Sequence, residues 1–336
     1  MKEIELRDSD ESLLLEELNK HLNGSLTTEW GEQTLQFENH FGKGIIRSIT
    51  FDWGVRLIDY DVCFSQDFKI NSVTGNVTPL EFIFISEGVI KFSVENGRFL
   101  DLNRFQNIII SHKHKSDKTL LFPKSTQVKI NFIQINKADY AKKKQNNLNY
   151  LNEVLYSVFE STSETVAFEH LGNYNLQIAD QVRLLNEAPE HGIIRTLSIE
   201  GRINLILAMQ LMEHHNFENK SKLPESISKE EIKKIHKLSE YIFDNISEHI
   251  TIPILAQESG LSPKKLQTGF KVLYNKSVNE YIRQLKVEIA RDYLKQGEMS
   301  ISEVVYQIGF KSRSYFSKIF FDQYGMLPTE YRKRVK

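Results

Sequence analysis

One cysteine in 336 residues, Cys63, has no second thiol to pair with, so no internal disulfide holds this chain and a reducing cytoplasm suits it. Long apolar runs are missing as well. None approaches the ~18 residues of a membrane span, and Met1-Lys2-Glu3-Ile4-Glu5 is too acidic to open a secretory leader. Neither export nor membrane insertion is expected. No phosphate-cradling glycine loop, no Ser/His/Asp order and no cysteine cluster marks a catalytic centre. Net charge is almost absent too, at −1, but that balance hides two parts of opposite sign. From Glu225 to Lys336 there are 19 Lys and Arg against 14 Asp and Glu, a net +5, whereas the preceding residues carry 24 against 30, a net −6. A basic C-terminal part beside an acidic N-terminal one suits nucleic-acid binding at one end only.

The length leaves room for two domains and a connection. Residues 10–23 place Leu13, Leu14, Leu18 and Leu22 among acidic neighbours, the pattern of a short amphipathic helix. Between 34 and 135 β-branched and aromatic runs predict strands at 44–51, 55–64, 80–85, 89–94, 107–111 and 127–135, separated by turn signals such as Gly75-Asn76, Glu87-Gly88 and Asn96-Gly97. Many short strands at regular spacing argue for an antiparallel barrel or sandwich. From 146 to 216 the period is helical, with helices expected at 148–159, 175–186 and 194–214. The third carries Leu197, Leu205, Ile206, Ala208, Leu211 and Met212, more apolar surface than one face requires. Packing on the barrel and pairing of two subunits both account for it. Residues 218–229, with Asn219-Lys220-Ser221-Lys222 and Pro224-Glu225-Ser226, read as a linker.

Residues 230–336 contain two helix-turn-helix patterns in tandem. In the first, residues 254–259 form a short helix with the small Ala256 at its packing face, Gly260 makes the turn, and Ser262-Pro263 opens a second helix with Leu266, Phe270 and Leu273 at i, i+4, i+7. The second pattern opens on the capping box Ser300-x-x-Glu303, runs to Gly309, and continues with a helix capped by Ser312 whose inward face is Phe316, Ile319 and Phe320. Between them lies a helix from Ser277 to Gln296. Twenty residues span roughly 30 Å, close to the ~34 Å that separates successive major-groove faces on one side of B-DNA.

These residues resemble the AraC/XylS-type transcription regulators. The match runs through Ala256-x3-Gly260-x-Ser262-Pro263-x2-Leu266, Phe270-Lys271, Tyr281-Ile282, Ala290, Leu294, Gly309-Phe310, Tyr315-Phe316-Ser317-Lys318-x-Phe320 and Gly325-x2-Pro328-x2-Tyr331-Arg332. Departures include Asn275 for Gly, Val305 for Ala and Leu327 for the usual hydroxyl cap, the last expected to cost ~1 kcal/mol. The resemblance implies an α+β chain: an N-terminal cupin-like β-barrel or jelly roll with helices over 1–217, then an all-α double helix-turn-helix domain. It implies double-stranded DNA and RNA polymerase as partners, and a homodimer formed through 194–214.

By the same resemblance Lys264, Gln267 and Thr268 face bases, while Lys271 meets phosphate. On the second reading helix Arg313, Ser314, Ser317 and Lys318 point outward, and Arg and Gln have the chemistry for bidentate base contacts. Gly269 has no evident task in the helical pattern, so Gly269→Ala is expected to raise stability by ~1 kcal/mol. In the N-terminal part Trp53, Arg56, Tyr60, Phe82 and Phe84 are candidates to line a pocket for a small organic effector, or simply fill the core. His112-Lys113-His114 has the spacing of a cupin metal pair but lacks the further Glu and His, so no metal and no cofactor is expected. The reading is a cytoplasmic, non-enzymatic DNA-binding regulator, an activator under effector control; the alternatives are a cupin enzyme fused to a DNA-binding module and a ligand-independent architectural DNA binder.

Overall fold

Alternating apolar residues in the first part and a 3.6-residue period in the last produce two different architectures. A computed structural model describes residues 1–7, 13–73, 79–94, 99–111, 117–142, 153–160, 168–172, 175–188, 192–219, 227–274 and 276–334. Contacts divide the chain into two units, Met1–Ser221 and Lys222–Lys336. The first contains strands β1 (Lys2–Arg7), β2 (Ser25–Glu29), β3 (Glu32–Asn39), β4 (Gly42–Phe51), β5 (Val55–Phe64), β6 (Phe68–Val73), β7 (Leu80–Glu87), β8 (Ile90–Val94), β9 (Leu100–Leu102), β10 (Asn107–Ser111), β11 (Asp117–Phe122), β12 (Gln127–Ile135) and β13 (Phe168–Leu171). Its helices are α1 (Leu14–Leu22), α2 (Lys137–Ala141), α3 (Glu153–Glu160), α4 (Leu176–Asn186) and α5 (Gly192–Asn219).

One sheet has the order β13-β10-β7-β12-β5-β4-β3-β2, the other β1-β6-β11-β8-β9. Neighbours are antiparallel except β1 and β6, which run parallel with Ile4 opposite Ile70. The two sheets face each other over one apolar core. Ile58, Tyr60, Val62, Ile83, Ile85 and Phe132 enter it from the larger sheet, Ile70, Phe92, Leu120 and Phe122 from the smaller, and Leu15, Leu18 and Leu22 from α1. Phe64 stacks on Phe68 across the gap with ring centroids 4.1 Å apart.

The other face of the larger sheet is also buried. There Leu57, Phe82, Phe84, Ile109 and Ile133 alternate with the core residues, and α5 packs close enough for Gln210 Nε2 to donate to the carbonyl of Ile83 at 3.3 Å. Arg195 of α5 holds Glu32 of β3 through two hydrogen bonds of 2.8 and 2.9 Å. One face of α5 is therefore spent on the sheet: Ile199, Ile203, Ile206, Leu207, Gln210 and His214 are buried. The opposite face is apolar and open to solvent, with Ile194 (66% exposed), Leu197 (59%), Leu205 (44%) and Met212 (61%). Packing on the sheet thus accounts for only part of the apolar surface that the sequence shows.

The second unit comprises α6 (Lys229–Asp244), α7 (Ile252–Ser259), α8 (Pro263–Tyr274), α9 (Val278–Gln296), α10 (Ile301–Gln307), α11 (Arg313–Tyr324) and α12 (Pro328–Arg334). Helix α5 extends to Asn219, two residues into the stretch read as linker. The rest of that stretch to Ser226, like His112, His114, Gly75-Asn76, Asn96-Gly97 and Asn275, lies outside the described residues.

Candidate nucleic-acid interface

Gly260, at φ +65°, ends α7 in the left-handed conformation that glycine adopts without strain. Helix α8 then buries Leu266, Gly269 and Phe270. At 100° per residue the stripe opposite that face is Lys264, Thr268 and Lys271, of which both lysines are exposed and Thr268 is half-buried. Lys265 turns away and pairs with Glu231 of α6, a contact that holds the Glu231 carboxyl below its ordinary range.

Gln267, expected among the base contacts, lies at the flank of the stripe, and its Oε1 accepts the N–H of Val278 at 3.2 Å. That N–H is the first donor of α9, one of the groups a helix start leaves without an intrahelical partner. Gln267→Ala should therefore cost about 1 kcal/mol of stability and weaken binding equally for all duplexes. A loss confined to particular base pairs, measured by titrating matched and mismatched duplexes, would return the amide to the reading face.

The second unit of the tandem has stronger caps. Ser300 and Glu303 form a reciprocal capping box, Ser277 and Glu280 form another at the start of α9, and the backbone N–H groups of Ser300 and Ser277 hold the two carboxyls below their usual range. Gly309, at φ +66°, leaves no room for a side chain, since a Cβ there would lie 2.2 Å from the carbonyl oxygen of Ser247. Ser312 Oγ accepts the N–H of Tyr315 at 3.2 Å and starts α11, which buries Phe316 and Phe320. Arg313, Ser314 and Lys318 are exposed, and Ser317 is half-buried. Leu327 keeps part of a cap that its side chain lacks, because its N–H donates to Glu330 at 3.0 Å.

Exposed aromatics also stand beside these residues: Tyr306 (83%) on α10, and Tyr315 and Phe321 on α11. The sequence reading leaves them out of the surface. Their signal was available in principle, since Tyr315 and Phe321 fall outside the Phe316 and Phe320 stripe.

Helix α9 joins the two halves and is buried along most of its length by Tyr281, Ile282, Leu285, Ile289, Ala290 and Leu294. It also buries charge. Lys286 Nζ donates to the carbonyls of Glu248 and Gly309, each at 3.4 Å, and stands 5.5 Å over the Phe310 ring; burial pushes its ammonium below the ordinary lysine range. The fully buried Glu288 pairs with Arg291 at 2.8 Å and takes a hydrogen bond from Gln323 of α11. Nineteen residues put the two reading helices on a strut about 28 Å long.

The effector candidates of the first unit do not form one group. Arg56 and Tyr60 share the face between the sheets; Arg56 donates to Ser48 Oγ at 2.9 Å, and burial pushes the Tyr60 hydroxyl pKa upward. Gln134 is registered between Arg56 and Glu81, and Glu81 is held by Lys118 at 2.7 Å. Phe82 and Phe84, expected to line the interior, are on the opposite face because the pleat alternates and Ile83 and Ile85 occupy the inner positions. Trp53 packs against Phe51 and Tyr140 in the turn before β5. Among the described residues no group of His, Cys, Asp and Glu is placed to hold a metal, and no helix is long and apolar enough to cross a membrane.

A family model described as a helix-turn-helix domain matches residues 255–334. The regulatory protein SoxS of Salmonella typhimurium is 31% identical over 101 residues, 30% of this chain and 94% of SoxS. Histidine kinase P4 of Formosa agariphila is 34% identical over 110 residues, which are 32% of this chain and 8% of the kinase, so the chain spans less than a tenth of that relative. A solved regulator with an AraC-type DNA-binding domain from Chromobacterium violaceum matches 31% of this chain and 92% of its own, at 25% identity and a TM-score of 0.30. With its tandem helix-turn-helix geometry and a relative matched over nearly its whole length, the chain belongs to the AraC family of transcription regulators.

Proposed function

We propose that this protein binds double-stranded DNA sequence-specifically as a cytoplasmic transcriptional activator, without enzymatic activity, and works with RNA polymerase. The observation that carries the proposal is the pair of helices α8 and α11, each packed on α9, with exposed Lys264 and Lys271 and half-buried Thr268 on one and exposed Arg313, Ser314 and Lys318 on the other. Selecting duplexes from a random-sequence pool with the full chain tests it. Two short motifs about one helical turn apart are expected, with Arg313→Ala relaxing preference in one motif only, at about 1–3 kcal/mol. Enrichment of no motif, with equal affinity for every duplex, would leave only an architectural binder.

We read residues 1–217 as the sensory domain, 218–229 as the linker and 230–336 as the DNA-binding domain. Two facing, almost wholly antiparallel sheets support a cupin-like jelly roll for the first, and the inward Arg56, Tyr60, Glu81 and Lys118 supply polar groups for a small organic effector.

Pairing of two copies through α5 is a second part of the proposal. The open face is self-complementary in an antiparallel arrangement centred on position 203: Ile194 meets Met212, and Leu205 meets Gly201 of the other copy. Gly201 fits that role, because a Cβ there meets nothing within 4 Å in its own chain. Gly201→Leu should therefore stabilise the isolated subunit by about 1 kcal/mol through helix propensity while halving the mass seen in sedimentation equilibrium. An unchanged mass would remove α5 from the interface.

A further inference from the structure

An open groove of about 590 Å³ runs between the two reading helices, lined by Lys271 of α8, Lys276, Arg283 and Glu280 beside or on α9, and Asp322 and Gln323 of α11. It lies along the stripe of α9 that the helical core leaves uncovered: Asn279, Glu280 and Arg283 are exposed, whereas Tyr281, Ile282, Leu285 and Lys286 are buried. Among the described residues Lys276 and Asp322 take part in no ion pair, and Arg283 forms no direct salt bridge although its charge acts on the Glu280 carboxylate. Glu280 is already engaged, since its carboxylate accepts from the Ser277 N–H at 2.8 Å and the Ser277 hydroxyl at 2.7 Å. The groove thus carries three cations against two carboxylates, of which Asp322 has no partner in the lining, with α8 on one wall and α11 on the other.

A duplex that presents successive major-groove faces to α8 and α11 must carry its backbone past this groove, with one phosphate charge per ~1.7 Å of axis. We propose that the groove is a third DNA-contacting element, in which Lys276 and Arg283 hold backbone phosphates between the two half-sites and Asp322 opposes them. The inference rests on the DNA-binding reading above. It adds a contact that carries no sequence information and a built-in repulsion that keeps non-specific affinity down.

The opposite signs make the test decisive. Full-length protein is titrated against a duplex recovered from the random pool and against a scrambled duplex of equal length, across a salt series. Lys276→Gln and Arg283→Gln should each weaken both duplexes by about 3- to 10-fold and lower the logarithmic salt slope by about 0.9, whereas Asp322→Asn should strengthen both by a few-fold. All three residues sit at the groove surface, and unchanged thermal melts verify that the fold is intact. Variants with wild-type affinity and slope on both duplexes overturn the groove while leaving the DNA-binding reading standing. A wild-type protein that retains no duplex at all overturns both.

Discussion

Replacing Lys118 by methionine should remove about 3–5 kcal/mol from the stability of the N-terminal unit. Lys118 reaches from β11 of the smaller sheet to Glu81 on β7 of the larger, with its Nζ 2.7 and 2.9 Å from the two carboxylate oxygens and 4.8 Å from the Phe132 ring centroid. Glu81 is 1% exposed, and Gln134 Nε2, at 2.7 Å, adds a neutral donor. Methionine fills much of the lysine volume but leaves the Glu81 carboxylate, buried between two sheets, without the ammonium that holds it. The double variant Lys118→Met with Glu81→Gln should recover most of the loss, because both charges of the pair are then removed together. Both tryptophans, Trp30 and Trp53, are in this unit, so urea unfolding followed by tryptophan fluorescence reports on it alone. A single-variant loss under about 1 kcal/mol would mean that the pair behaves as a solvated surface contact.

The second large effect reverses an expectation drawn from helix propensity. Gly269 was expected to be a passive weakness of α8, yet it is buried against α6, where an added Cβ would lie 2.6 Å from Ile235 Cγ1, 2.9 Å from Ile235 Cδ1 and 3.0 Å from Ile227 Cδ1. Overpacking of this kind costs about 1–3 kcal/mol, against the ~1 kcal/mol that alanine contributes in a helix. The packing term wins because Ile235 is fully buried and has nowhere to withdraw. Gly269→Ala should lower the melting temperature of the C-terminal unit, while in an Ile235→Ala background the same change should raise it. The transition is followed by circular dichroism. A stabilising effect in both backgrounds would restore the passive reading.

How much was legible in the sequence depended on whether an element shows water on one side. Helices α8, α9 and α11 announce themselves through caps and one-sided apolar stripes, and strands β4, β5, β10 and β12 through β-branched runs bounded by turns. Their side chains are harder to assign. In β7 every residue from Leu80 to Ile85 is buried, and a strand covered on both faces has no alternation from which to tell inside from outside. Phe82 and Phe84 were assigned inward for that reason. Strands β1 and β6 are hard to read because their pairing is distant in sequence, β1 lying some 66 residues before β6, whereas α6 has a local signal that the sequence reading leaves out, the Ser228–Glu231 capping box and the stripe of Ile235, Leu238 and Ile242. Gln267 shows the same limit at the interface. Outward position was readable from the period; its bond to Val278 was not.

The buried charges of α9 have a consequence for the DNA. Lys286 ties the strut to the turn after α6 and to the turn before α11, Glu288 ties it to α11 itself, and Gln267 ties α8 to its first turn, so on the proposed reading α8 and α11 meet the DNA at a fixed spacing. Such an arrangement works as a ruler with fixed phase. One base pair inserted between the half-sites moves the second by ~3.4 Å and rotates it by about 34° around the duplex axis, beyond what side chains on a rigid helix can follow. The operator should therefore tolerate base changes in its spacer far better than any change in the spacer's length.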